Sequence, residues 1–443
     1  MALSSFRPLR SRNFALVWSA ALVSNVGSWM QTVALGFVIT ARTHNPLWTG
    51  LVAAAAFVPM GLLAPLGGAL ADRLDRRRWL IVTTVAEACF AAVLAVLAAV
   101  GHAPPLVLVG VAFLGGTAAA VGFPTYQAML PDLVPRDDLL AAVSLSSAQF
   151  NLGRVIGPAL AGIVLVVGSD AWAFAVNAAS FGAVVIALIF VRLPAPKAPT
   201  LPVERIVRRI VAGARVAAGE PGCRSAIVLI AVVALIGSPF IGLVPAVAID
   251  GLHRGAAATS ALVTGQGIGA VVGALALAPL ARAWGRRRLL VAALFAFPTA
   301  IVLYGAAPSL VTATLAIVVV GACYISVLTG LNTVVQLRAP EQARGRVLGL
   351  YMMALGTIYP IGLVIQGAIA GALGIRLVTV ASGTLLVVVM AVLVLLRPGL
   401  FRALDDDHRA TSVAGAASST LTLGVIDDPS PADTVVSPPA VVP

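Results

Sequence analysis

Between two long apolar runs the chain carries Gly68 to Trp79, reading Gly-Ala-Leu-Ala-Asp-Arg-Leu-Asp-Arg-Arg-Arg-Trp. A bilayer offers no water to solvate a charge, so the arginines and aspartates of this stretch cannot lie in hydrocarbon. The stretch is therefore a tight aqueous turn between two spans. Its arginines also fix the side it faces, because short loops rich in Lys and Arg stay in the cytoplasm.

Composition extends this reading to the whole chain. With 60% hydrophobic and 10% charged residues among 443, and a mean hydropathy of +1.02, there is too little polar surface for a soluble globule. The chain reads as an all-α integral membrane protein. A net charge of +12 raises nucleic acid as a partner, but the arginines fall in short loops rather than on one folded face, so topology and anionic headgroups explain them better. Cys89, Cys223 and Cys323 have neither metal-ligand spacing nor even pairing and read as free thiols. No nucleophile with a base, phosphate-binding loop or metal cluster is evident, and His44, His102, His253 and His408 fall in loops or the tail. An enzyme is not expected, nor is a cofactor.

Taken in order, the first span runs from Phe14 to Thr40, too long for a signal-peptide core, and carries Asn25, Ser28 and Gln31 about one turn apart. Such a stripe either glues helices together or lines a cavity. The third span starts at Trp79 and places Glu87 about 13 Å along its axis. This is the one carboxylate placed well inside the hydrocarbon zone. Its burial costs several kcal/mol unless it is neutralised, paired or wetted. A reversible proton site and a structural acid bonded to a neighbouring helix both fit. The fifth span, Leu140 to Val167, carries Gln149, Asn151 and Arg154. Arginine stays charged at physiological pH, so Arg154 is an anion anchor or a carboxylate's partner, not a proton carrier.

After the sixth span, residues 192–224 are rich in proline and basic side chains and hold no apolar run long enough to cross. Within them Val203, Ile206, Val207, Ile210 and Val211 recur opposite Arg205, Arg208, Arg209 and Arg215, which predicts a basic amphipathic helix on the lipid surface. The second half then repeats the plan. Arg282-Ala-Trp-Gly-Arg-Arg-Arg echoes Asp72-Arg-Leu-Asp-Arg-Arg-Arg at an offset of 210 residues, the mark of a duplicated six-helix unit. Expected units are 1–191, the linker 192–224, 225–403, and a disordered tail 404–443. Charge supports the count: of 29 Lys and Arg residues, Arg42, Arg254 and Arg376 fall on the far side and Arg154 within a span, and all others share the side of Arg73. Twelve spans with both termini cytoplasmic follow.

The basic turn resembles the loop between helices 2 and 3 of the major facilitator superfamily, G-x-L-A-D-R-x-G-R-R, with Gly68, Leu70, Asp72, Arg73, Arg76 and Arg77 in register and Asp75 in place of glycine. Leu130 to Leu139 resembles the matching loop of the enterobactin-exporter and macrolide-efflux branch. Gly153, Gly157, Pro158 and Gly162 resemble the helix-5 antiporter motif G-x-x-x-G-P-x-x-G-G, with Ala161 replacing one glycine. The resemblance implies two pseudo-symmetric six-helix bundles that rock about a central site. It further implies a cytoplasmic gate in which Asp72 meets the positive end of helix 11 near Arg344 and Arg346. Helix 4 lacks the arginine that many proton-coupled drug exporters carry, so Arg154 is a substitute for it or coupling differs.

The expected function is secondary transport in the inner membrane: efflux of a small amphipathic drug or siderophore-like molecule, driven by the proton gradient. Glu87 would carry the proton, Arg154 would respond to it or hold an anion, and Asn25, Gln31, Asn151, Tyr324 and Asn332 would line the cavity. Partners would be the bilayer, the cargo and protons, with no nucleic acid and a monomeric protein. An importer, a proton-independent facilitator and a lysolipid transporter are the alternatives on the same fold.

Overall fold

A computed structural model describes residues 6–191 and 206–405, apart from the side chains of Ala64, Pro65, Ala69, Asp72 and 206–210. Among the described residues, twelve segments are long and apolar enough to cross a membrane. The first half holds α1 (Arg12–Thr43), α2 (Pro46–Arg73), α3 (Arg76–Val100), α4 (Pro105–Leu133), α5 (Leu139–Val167) and α6 (Asp170–Phe190). The linker contributes α7 (Ile206–Gly219). The seventh span is assembled from α8 (Pro221–Val232) and α9 (Phe240–Ala246), each followed by a π segment, Val233–Gly237 and Val247–Gly251. Then come α10 (Ala256–Trp284), α11 (Arg286–Ala306), α12 (Leu310–Arg338), α13 (Arg344–Leu373), α14 (Ile375–Leu396) and the short α15 (Pro398–Arg402).

The basic turns are built from the residues that mark them. Asp75, where the superfamily usually has glycine, is the N-cap of α3: its Oδ1 accepts the Arg78 N–H at 2.8 Å, satisfying an amide the helix start leaves free. Its counterpart 210 residues on is Gly285, which turns the chain with φ of 84°. Arg77 then donates to the carbonyls of Leu188 and Ile189, both at 2.6 Å, and so closes the end of α6. The pattern recurs in the second half, where Arg287 donates to the Phe401 carbonyl at 3.2 Å.

Proline explains the broken seventh span, which sequence periodicity does not anticipate. Pro239 has no N–H to give the Leu235 carbonyl, and the ladder widens so that Ser238 N–H reaches Val233 O at 2.8 Å. The carbonyls left behind find a side chain on α13: Gln366 Nε2 donates to Ile236 O at 2.7 Å. Tyr324 supports the same segment, donating to Ser238 Oγ at 3.1 Å.

Within the first half α1 packs on α5 and α6, and α4 on α2 and α3; within the second, α12 packs on α10 and α11, and α14 on α11. Between halves the most extensive contacts are α2 with α13 and, in the pseudo-symmetric position, α5 with α10. Without a hydrophobic drive between helices in lipid, these crossings depend on small residues that let backbones touch. A Cβ on Gly61 would lie 2.5 Å from the Gly356 carbonyl carbon, and one on Gly367 would lie 2.7 Å from Pro46 O. Gly68 and Gly349 continue the same two helix faces by two turns toward the basic loops, yet among the described residues neither meets anything within 4 Å. The halves are thus closed on the face opposite the basic loops and diverge beyond the Gly61–Gly356 crossing. On the closed face His44 Nδ1 lies 3.1 Å from Asp250 Oδ1, joining the end of α1 to the second π segment.

Of the linker, α7 packs on α13 and α8, with Gly213 3.0 Å (as a Cβ) from the Arg346 carbonyl and Ala217 buried. The face of α7 that docks on protein is marked by Gly213 and Ala217, while Val211 and Arg215 of the expected lipid-facing pattern are exposed. Val203, Arg205 and the tail beyond Asp405 lie outside the described residues.

Replacing Gly61 with leucine is expected to wedge α2 from α13, at a cost of about 1–3 kcal/mol. The checks are a lower melting temperature in detergent and labelling, from the face carrying His44, of a cysteine placed at the fully buried Thr49.

Candidate functional site

On the His44 side of the Gly61–Gly356 crossing lies a cavity of about 330 Å³. Its wall comes mainly from the first half, and Ile241, Gly242 and Pro245 of α9, Val263 of α10 and Tyr359 of α13 complete it. The piece of the seventh span between its two π segments is thus the piece that faces the cavity. Most of the lining is apolar, from Val33 and Val52 to Phe57, Met60 and Phe90. Polar groups are few: Asn25, Ser28, Gln31, Thr32, Thr49, Asn177 and one acid, Glu87.

Glu87 reaches the wall because α3 and α4 approach closely. A Cβ on Gly122 would lie 2.7 Å from Thr83 Oγ1 and 3.7 Å from Glu87 Oε1. Among the described residues the Glu87 carboxyl forms neither a hydrogen bond nor an ion pair. It is the acid in direct contact with the cavity.

The glycines of α5 set the opposite wall. A Cβ on Gly153 would stand 2.9 Å from Asn25 Cβ, and one on Gly157 would stand 2.6 Å from both Trp29 Cβ and the Val26 carbonyl oxygen. Only glycine permits this approach of α5 to α1, and it brings the Arg154 guanidinium carbon to 5.5 Å from the Trp29 ring centre. Gly162, with Pro158 buried between, turns instead to Ser260 of α10, in the other half. One motif therefore serves two contacts, within a bundle and across the interface.

A family model for transmembrane secretion effectors matches residues 3–417. The chain belongs to this family of the major facilitator superfamily. It is 27% identical over 371 residues to the multidrug efflux pump Tap of Mycolicibacterium fortuitum, covering 82% of this chain and 90% of Tap. It is 28% identical over 412 residues to the enterobactin exporter EntS of Escherichia coli O1:K1 / APEC, covering 88% and 93%. Among solved structures, the bacterial homologue of the human lysosomal transporter Spinster, in its inward-facing and unoccupied conformation, superposes with a TM-score of 0.69 at 15% identity, covering 90% of this chain and 97% of that one. That likeness shows the twelve-helix fold. Members of the family are membrane transporters, not enzymes.

In this transporter Asn25 and Gln31 line the cavity, and Gln31 Oε1 accepts from Asn177 Nδ2 at 2.9 Å. The other expected polar contacts point elsewhere. Asn151 is exposed and donates to the Ser147 carbonyl of its own helix at 2.8 Å. Tyr324 is buried in the second half against Phe240 and Phe297, and Asn332 accepts from Gln336 at 2.6 Å. Of the basic-face residues, Arg76 pairs with Asp132 at 2.8 Å and donates to Ala128 O at 3.0 Å, so it and Arg77 tie the first bundle to itself. Arg73 is exposed, and Arg344 Nε is buried with no hydrogen-bond partner among the described residues. The Asp72 side chain lies outside the description. The aromatic wall, Trp29 against Phe150 and Phe57 against Tyr359, had no sequence signal beyond ordinary apolar spacing.

Gly157→Val should separate α5 from α1 and remove Arg154 from Trp29. The expected loss is about 1–3 kcal/mol of stability, measured by thermal unfolding in detergent, with a changed Trp29 emission in a variant holding that tryptophan alone.

Proposed function

We propose that the protein exports a small amphipathic molecule in exchange for protons, by alternating access of the central cavity. The basic face is cytoplasmic on this reading, as are both termini, because its short loops hold nearly all the cations. The state described here, closed opposite that face, is then the one that loads cargo from the cell interior. Apolar walls with few polar groups suit an amphipathic cargo of variable shape. The functions of Tap and EntS, multidrug efflux and enterobactin export, favour the outward direction and bracket the cargo as drug-like or siderophore-like.

The observation that carries the coupling is Glu87, an unpaired acid on the cavity wall. An isolated carboxylate in a low-dielectric wall is costly and a protonated one much less so. Cargo and proton that meet at one wall can exclude each other, which is the minimum an antiporter needs. Protonation at Glu87 from the far side, and its release on cargo entry from the cytoplasm, would drive the exchange without a cofactor.

Cells expressing the protein should accumulate less of at least some members of an antibiotic and siderophore panel than cells without it. Glu87→Gln should abolish the response of that efflux to an imposed pH gradient while the variant still reaches the membrane. Coupling that survives in Glu87→Gln removes Glu87 as the carrier.

A further inference from the structure

Arg154 is a fixed charge near the middle of α5, roughly 22 Å from that helix's basic-face end. Its Nε is buried and has no hydrogen-bond partner, and among the described residues no carboxylate pairs with it. Glu87, the acid in the cavity wall, makes no such bridge. The ionisable groups that interact with Arg154 electrostatically are Tyr324 and Tyr359, which are neutral phenols at physiological pH. The Trp29 face offers it a cation–π contact of about 0.5–2 kcal/mol, small beside the cost of a lone charge in a membrane interior.

The guanidinium lies next to the cavity wall: Arg154 is not itself a lining residue, but it stands 5.5 Å from the ring centre of Trp29, which is. Trp29, Tyr359 and Phe150, one turn before Arg154 on α5, all belong to the lining. The Gly153 and Gly157 contacts with α1 hold it there. A cation that the protein leaves without a counter-anion, beside an apolar aromatic chamber, asks for an anion that arrives from outside.

We propose that the cargo is an amphipathic organic anion, an acidic group on an aromatic or otherwise apolar body, and that Arg154 over Trp29 holds the acidic group. This rests on the cavity reading above, and the contact with the acidic group is made by Arg154, not by Glu87. Guanidinium matches a carboxylate or phosphate with two parallel donors, which gives the site a preference in charge that apolar walls lack.

The test uses the purified full-length protein in detergent and three matched probes: 2-naphthoate, its methyl ester, and 2-naphthylmethylammonium, each titrated by calorimetry. The naphthoate is expected to bind at least about tenfold more tightly than either other probe. Arg154→Gln should erase that preference, and Arg154→Lys should keep part of it. Displacement of naphthoate by lysophosphatidylglycerol would identify a lipid as the source of the anion, and its absence a free organic acid. Equal binding of the three probes, or no binding of the naphthoate, overturns the proposal, as does a preference that persists in a folded Arg154→Gln. Equal binding leaves the cavity reading standing, and loss of pH coupling in Glu87→Gln is read separately by flux.

Discussion

Lipid gives a peptide group nothing to bond to, and every other feature of this protein answers that restriction. Each span must close its own hydrogen bonds, so helices form regardless of what they touch. Attraction between them is left to contact at short range, and the contacts that matter are those where no side chain intervenes. Gly61 against Gly356 and Gly157 against the Val26 carbonyl are such places, one between the halves and one inside the first half. The former is where the two bundles part; the latter places Arg154.

The same restriction makes exceptions informative. Where Pro239 breaks the ladder, the released carbonyls are met by Gln366 from a neighbouring span, and Tyr324 braces the turn through Ser238. The segment so freed from regular geometry is the one that presents Ile241, Gly242 and Pro245 to the cavity. Among the described residues Glu87, on the cavity wall, and Arg154, beside it, have no ion-pair partner and do not neutralise each other, which is what the proposed proton and cargo roles require.

The loops tell a different story from the one their charge suggests. Arg76 and Arg77 are tied to Asp132 and to the carbonyl end of α6, which makes the basic turn a clasp within the first bundle in this state. Asp75 departs from the superfamily pattern by capping α3, while Gly285 keeps the patterned turn in the second half. Both solutions start a helix at the same place; the duplicated halves tolerate either.

Much of this was legible in the chain itself. Twelve spans and their duplication follow from where charge is too costly to bury, and that cost depends on residue type and position along the chain rather than on neighbours. Glycine spacing in α5 and the lone acid in α3 could be read for the same reason. What a linear pattern did not hold is rotation. A helix apolar on every side has no face marked as inward, so Asn151 could be expected in the cavity and instead bonds its own backbone, while Tyr324 sits in the core of the second half. Which helices meet, where the halves part, and that Arg154 lies over Trp29 without an acid beside it were decided only when backbones packed, because shape at close contact, not composition, selects among the orientations lipid leaves open.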